Sequence, residues 1–434
     1  MREMKDSGVE WIGEIPKEWH IVKIKYLPDK TINNSYTDGD WIESPDVADE
    51  GIRYLTTGNI GDGKYKDQGK GFITLETFNR LNCKYAYPGD LIISRLNAPY
   101  GRSCILPNDY SEYVLAVDNV ILRPTENKKY ICYISQCDGY QHSVEDVAKG
   151  NTMKRISRTN LGNIFLPIPA KEEQECIVEY LDAKCSKIDE IIEKQQAIIE
   201  KLKEYKLSVI IEAVTKGLNP NVEMKDSGVE WIGQMPTSWD CTTVGMIATV
   251  VRGASPRPAG DPLYFNGKDV PWITVAEVTK GEGKYIDGTE TFLTFEGAKQ
   301  SRIVEEGTLL LSNSGATLGV PKITRIRGCI NDGSVAFYNL CINQEFLLYL
   351  FKGRTFELRK QMQGYGQPNL NTTIVKKIEV PLPTEPEQKA IVDFLDQKCI
   401  TVEKTIKDRE KMIEKLQEYK KSLIYEVVTG KKEV

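Results

Sequence analysis

Asn97-Ala98-Pro99-Tyr100 differs by one residue from the Asn-Pro-Pro-Tyr loop that holds a target amino group in amino-methyltransferases. Such an enzyme also needs a glycine-rich cofactor turn after a strand. Gly58-x-x-Gly61-x-Gly63 has the wrong spacing for one, and no nucleotide-binding βαβ unit surrounds it. Pro45-Asp46 followed by Asp62-Gly63-Lys64 imitates metal-dependent nucleases, in which two carboxylates hold Mg2+ and a lysine helps activate water. The matching turn Glu282-Gly283-Lys284 has no Pro-Asp upstream, and a β-hairpin turn accounts for both more simply. No G-x-x-x-x-G-K-[ST] loop is present to cradle ATP phosphates. With only His20 and His142, histidine acid/base and triad chemistry has few candidates. The ten cysteines include no C-x-x-C pair and no histidine at metal-ligand spacing, so reduced, mostly buried thiols are expected. These absences predict a non-enzyme with no metal and no cofactor of its own.

Binding chemistry has more candidates. Arg, Lys, Asn and Gln beside turns are the side chains that grip phosphate or pair with guanine and adenine edges. In the first part of the chain they cluster as Arg95, Asn97, Tyr100 and Arg102, and again as Asn151, Lys154, Arg155 and Arg158. In the second part they are Arg252, Arg257, Asn313, Lys322, Arg325 and Arg327, then Tyr365, Gln367 and Asn369. A net charge of −5 is unusual for a DNA-binding chain, so contact must come from local patches. Residues 16–165 carry 19 basic and 19 acidic side chains and 236–383 carry 16 and 14, whereas 171–216 carry 8 and 11, so the globular parts are less acidic than the first long helix, which fits DNA contact in the former.

The elements that position these residues come in two copies. Met4–Gly13, M-K-D-S-G-V-E-W-I-G, recurs unchanged at Met224–Gly233, with Trp19 matched by Trp239. Pro167–Thr215 matches Pro381–Thr429 without a gap at 23 of 49 positions. The segments between differ and resemble each other only in short echoes such as Leu91–Ser94 against Leu309–Ser312. After Leu166-Pro167-Ile168-Pro169 and Val380-Pro381-Leu382-Pro383, proline stops and an a/d seam begins. It runs Leu181, Cys185, Ile188, Ile192, Gln195, Ile199, Leu202, Lys206, Val209, Ala213 in the first copy, and from Leu395 to Val427 in the second. Gln195/Arg409 and Lys206/Lys420 put polar groups at equal steps, a device that fixes register. Two helices of such length, separated by a domain, are expected to pair antiparallel.

Four segments follow: a globular head at 1–165, a helix at 166–217, a second head at 218–379 and a second helix at 380–434. Runs such as Asp90–Ser94, Val114–Arg123, Val270–Val275 and Thr308–Ser312 read as strands, and Leu75–Asn82 and Gln344–Gln363 as helices. Each head is therefore α/β (α+β). The repeated Trp11/Trp231 and Trp19/Trp239 are expected to anchor the heads to the helices. Lacking an apolar leader and any run of about 18 apolar residues, the chain is expected to be cytoplasmic and to have no membrane partner.

The opening M-K-D-S-G-V-E-W-I-G-E-I-P-K-E-W, the L-P-I-P-x-x-x-E-Q stretch at Leu166–Gln174, the K-L-K-E-Y-K at Lys201–Lys206 and their second copies resemble the specificity subunit of type I restriction-modification systems. The resemblance spans the chain. It implies two target-recognition domains reading the halves of a bipartite double-stranded DNA site, set apart by the helix pair. It further implies that the helices dock two methyltransferase subunits, which recruit two motor-nuclease subunits. S-adenosylmethionine, ATP and Mg2+ would belong to those partners. A scaffold whose heads bind protein and never touch DNA is the competing class, and salt-dependent DNA binding by the assembled complex separates the two.

Overall fold

The computed structural model describes residues 2–69, 71–150, 154–315, 317–361 and 370–434, with backbone only for 356–361. Two compact units emerge: residues 1–195 together with 410–434, and residues 196–409. The first long helix, Lys171–Lys216, and the second, Glu385–Val428, each begin in one unit and end in the other. The four sequential segments expected from the repeats thus fold into units that each draw on both helices. Among the described residues no helix is long and apolar enough to cross a membrane.

In the first unit, Leu91–Ser94 lies between Asn119–Leu122 and Ser103–Ile105, with Tyr36–Asp38 outside Asn119–Leu122, making a four-stranded antiparallel sheet. All four residues of Leu91–Ser94 are buried. The sheet is covered on both sides, so successive side chains enter different cores: Leu91 and Ile93 join the cluster that contains the long helices, while Ile92 joins a cluster within the head. A three-stranded sheet, Phe72–Ile73, Ile52–Leu55 and Tyr113–Leu115, completes the head, its last pair parallel. The run expected as one strand over Val114–Arg123 is two. The Asn119 amide donates to Ala116 O in a turn, and Asp118 O accepts the Arg95 amide.

The second unit repeats this plan on a diverged sequence. Thr249–Arg252, Ser334–Tyr338, Leu309–Ser312, Pro321–Thr324 and Tyr285–Ile286 form a five-stranded sheet in that order. Leu309 and Leu311 face the helix-side cluster and Leu310 the inner one, the same division of labour as Leu91–Ile93. Phe292–Leu293, Phe265–Ile273, Gly328–Ile330 and Arg302–Val304 form the companion sheet. Gln344–Gln361 is helical, within the stretch Gln344–Gln363 expected to be so. This confirms the α+β class for both heads.

The near-identical segments are those that tie head to helix. Trp19 and Trp239 are each 1% exposed, and their indole Nε1 groups donate to Glu173 at 3.0 Å and Glu387 at 3.1 Å on the first turn of each long helix. The glutamine of the L-P-I-P-x-x-x-E-Q stretch has an equally specific task. Gln174 Oε1 accepts the Asn127 amide at 2.8 Å while its Nε2 donates to Pro169 O, and Gln388 does the same with the Asn343 amide at 2.7 Å and Pro383 O. Asn127 and Asn343 cap the next head helix in each copy through their side-chain oxygens. Trp11 packs edge-on against Tyr140, and Trp231 lies under Arg354 at 4.9 Å.

The seam lysines meet their partners within each unit. In the first, Lys420 of the second helix reaches Asp189 of the first at 2.7 Å, and Lys432 sits over the Tyr180 ring, so the two stretches run antiparallel. In the second, Lys206 of the first helix reaches Glu403 of the second at 2.8 Å. Lys206 and Asp189 correspond to Lys420 and Glu403 in the repeat, so one ion pair is made twice with the helices exchanged. Burial alone would lower the Lys206 pKa, but hydrogen bonds to Glu282 and Glu403 outweigh it and raise it. Burial likewise pushes Asp189 up, and the bonds from Lys420 and Lys64 overcome this and hold its carboxyl low.

Candidate nucleic-acid interface

The residues that imitate a nuclease are not assembled into one. Asp46 pairs with Arg80, Asp62 accepts from Gln141 at 3.1 Å, and Lys64 reaches Asp189 on the first long helix at 3.0 Å. In the second copy Glu282 takes Lys206, and Lys284 takes Asp396 and Glu345. Both Asp/Glu-Gly-Lys turns therefore fasten a head to a helix. No group of three or more metal-ligating side chains exists among the described residues. None of the ten cysteines is in a disulfide, and seven are buried.

The two basic stretches of the first head, far apart in sequence, come together at one end of the four-stranded sheet. The Ile156 amide donates to Arg95 O, and residues 96 and 155 pair as an isolated bridge. Behind this seam lies a charged cluster. Arg95 reaches Asp38 at 3.1 Å, Arg158 approaches the same carboxylate at 3.7 Å, and Arg155 takes Asp118 at 2.5 Å. Three guanidinium groups facing two carboxylates leave a positive surplus. The side chains of Arg155 and Arg158 are each 42% exposed, with Lys154 beside them holding Glu145 at 3.2 Å. Asn97 is exposed at the tip of the 96–101 loop with a left-handed φ of 64°, a conformation that asparagine tolerates. Tyr100 is half-buried against the core.

Four candidates are corrected by burial. Arg95 is 4% exposed, and its guanidinium donates to Ile156 O and Val117 O. Arg102 is 8% exposed and points inward, its N–H groups donating to the carbonyls of Ile60, Thr57, Leu96, Asn97 and Pro99. Burial lowers the pKa of both. Lys322 is 3% exposed and donates to Lys280 O, with its pKa also lowered by burial. Asn313 is fully buried, and its side-chain amide has no hydrogen-bond partner among the described residues. These four lie beneath the surface and are not displayed on it in the way the exposed Arg155 and Arg158 are.

In the second head the Leu370 amide donates to Asn313 O, the counterpart of Ile156 to Arg95. Arg252 joins that end of the sheet through its Nε bond to Asp332 O at 2.9 Å, and Arg257, with its side chain 72% exposed, approaches the Asp332 carboxylate at 3.9 Å. Arg325 and Arg327 are exposed but follow the strand Pro321–Thr324, whose far end pairs near Leu309, so they lie at the opposite end of the sheet from Asn313. Arg325 stacks on Tyr285 at 3.7 Å and pairs with Asp287, while Arg327 pairs with Glu305. Asn151, Tyr365, Gln367 and Asn369 lie outside the described residues. Sequence reasoning missed Asp38 and Asp118, the acids that orient the arginines. Their only signal was position, Asp38 closing the strand Tyr36–Asp38 and Asp118 directly preceding the strand Asn119–Leu122.

Comparison with known proteins places this arrangement. A family model described as the type I restriction modification DNA specificity domain matches residues 16–204 and again 236–413. The putative type I restriction enzyme MjaX specificity subunit of Methanocaldococcus jannaschii is 24% identical over 97% of this chain and 95% of its own. The MjaIX specificity subunit of the same organism is 31% identical over 43% of each chain. Among solved structures, a chain from work on complex assembly and conformational transition of the type I R-M system superposes with a TM-score of 0.73 at 16% identity, covering 95% of this chain and 98% of that one. The HsdS subunit from Thermoanaerobacter tengcongensis gives 0.51 at 17% identity, over 96% and 98%.

Proposed function

This chain belongs to the type I restriction-modification DNA specificity family, in which it is the target-recognition subunit, and we propose that each of its heads reads one half of a bipartite double-stranded site. The observation that carries the proposal is the ion pair made twice with the helices exchanged, Lys420 to Asp189 and Lys206 to Glu403. The scaffold treats its two copies as equivalent. The heads it serves share a strand order but differ in side chains, as two readers of different half-sites would. The helices then set the gap between half-sites and dock two methyltransferase subunits, which recruit two motor-nuclease subunits in a cytoplasmic complex. S-adenosylmethionine, ATP and Mg2+ act in those partners, and this chain supplies no catalytic group.

Within the first head, Arg155, Arg158, Lys154 and Asn97 are the side chains offered to DNA, and within the second, Arg252 and Arg257. Guanidinium groups held by a neighbouring carboxylate keep a fixed direction, which suits bidentate contact to guanine or phosphate. The test is to co-express the chain with its methyltransferase and map methylated bases across a genome. A motif of two short half-sites with a constant gap is the expected result. A single uninterrupted motif, or a complex that methylates at no motif, would overturn the two-reader model.

A further inference from the structure

The junction between head and long helix is built twice on one plan and differs in charge. Tyr133 donates to Asp182 at 2.7 Å in the first copy, and Tyr349 to Asp396 at 2.5 Å in the second. The capping residues Asn127 and Asn343 fix the correspondence, so Lys352 stands where the first copy has Gln136, each the same distance along the chain from its cap. Strand register fixes another: Lys322 faces Leu310 as Cys104 faces Ile92. The first junction contains a cavity of about 680 Å3 lined by four carboxylates against three lysines. The second contains one of about 490 Å3 lined by Lys203, Lys206, Lys322 and Lys352 against the single carboxylate of Glu282.

Lys206 is satisfied by Glu282 and Glu403. Lys203 pairs with Glu200, and the two lysines that differ from the first copy, Lys322 and Lys352, are in no ion pair among the described residues. Lys322 Nζ donates to Lys280 O at 2.9 Å and Lys352 Nζ to Glu282 O at 3.1 Å, and among the described residues neither has a carboxylate within ion-pair distance. An ammonium carries three N–H donors, so each keeps donors to spare beside a cavity, with the nearest carboxylates acting on it only from beyond ion-pair distance. We propose that this second cavity binds a phosphate-type oxyanion, which would supply both the missing charge and the missing acceptors. The first junction, with Cys104 and Gln136 at those positions, lacks the site. Burial, then repulsion from Lys206, pushes the Lys352 ammonium down to about 8. It is therefore mostly charged at pH 7, and anion affinity falls as the pH rises from 7 to 9.

The phosphate can come from a free anion or from a DNA backbone. Full-length chain is titrated with inorganic phosphate and pyrophosphate by calorimetry at constant ionic strength, beside Lys352→Gln, Lys322→Met and the exposed control Lys299→Gln. Lys352→Gln installs the residue of the first copy at a half-exposed position, and a melting curve without anion confirms that each variant is folded. Saturable binding by the unaltered chain and Lys299→Gln, weakened about tenfold or more in the two site variants, is expected for a free anion. If neither anion binds, the complex with methyltransferase is titrated with duplex DNA, where weaker binding and a shallower salt dependence in Lys352→Gln would assign the site to a backbone phosphate. Equal anion binding in the site variants, or no anion binding together with unchanged duplex affinity, overturns the proposal.

Discussion

Arg102 separates positioning from contact more sharply than any other residue of the first head. Its Nε donates to Ile60 O at 2.6 Å, Nη1 to Asn97 O at 2.7 Å and Nη2 to Thr57 O at 2.8 Å, with longer bonds to Leu96 O at 3.2 Å and Pro99 O at 3.3 Å. Arg102→Met keeps most of the volume and leaves the carbonyls of two loops without their donor. Three short charge-assisted bonds at about 1.5 kcal/mol each suggest a loss of about 4–5 kcal/mol. Relief from desolvating the guanidinium returns part of that, leaving about 2–4 kcal/mol. At roughly 2–4 °C per kcal/mol for a unit of this size, melting of the first unit should fall by about 4–16 °C by calorimetry. Specific binding at the half-site read by this head should fall with it, because the 96–101 loop that presents Asn97 is no longer held. A variant that melts within about 1 °C of the unaltered chain, yet binds DNA more weakly with the salt slope reduced by about 1, would refute this and restore Arg102 as a phosphate contact.

Arg155→Ala and Arg158→Ala should do the reverse: stability within about 0.5 kcal/mol, weaker binding of DNA by the assembled complex, and a lower salt slope in filter-binding titrations. A double-mutant cycle of Asp189→Asn and Lys420→Met should give a coupling of about 1 kcal/mol in denaturant melts, modest because both side chains keep some solvent and Lys64 shares the carboxylate. Asp189 is held below its unfolded value, so its contribution is present above about pH 4 and is lost as pH falls through the depressed value. Asp189→Asn should accordingly flatten the acid limb of a stability-versus-pH curve, and an unchanged limb would contradict the assignment. Trp239→Ala should cost about 3–5 kcal/mol in the second unit, read as loss of its cooperative melt.

The scaffold was legible in the sequence because its rules are periodic. Lys206 and Lys420 stand out as charges on an apolar seam, and Trp19 and Trp239 as large residues repeated beside a helix start. Their partners were harder to see: Asp189 and Glu403 lie off the a/d steps and are one carboxylate among many on a charged helix. The heads were readable as α+β but not as copies of one topology, because a strand buried on both faces keeps only its hydrophobicity, and Leu91–Ile93 and Leu309–Leu311 do so with different side chains. The binding surface was half legible. Arginine beside a turn is as well suited to collecting backbone carbonyls as to meeting phosphate. Arg95, Arg102 and Asn313 directly flank strands with no exposed residue, a warning that they would be drawn inward. Arg155 sits in a loop and Arg158 opens the short helix Arg158–Gly162, with no such strand directly beside them.

The division of the first unit between both ends of the chain sets a timetable for its synthesis. Leu423, Ile424, Val427 and Val428 belong to the same core as Ile12, Trp19 and Leu91. Residues 196–409, by contrast, form a unit that is continuous in sequence. On the ribosome the segment made first must therefore wait for the segment made last, roughly 10–50 s at ordinary elongation rates. During that interval the later unit can close while the earlier one still exposes the apolar groove that the second helix will fill. A nascent chain stalled before residue 410 would carry one finished reader and one open core, a natural target for chaperones and proteases.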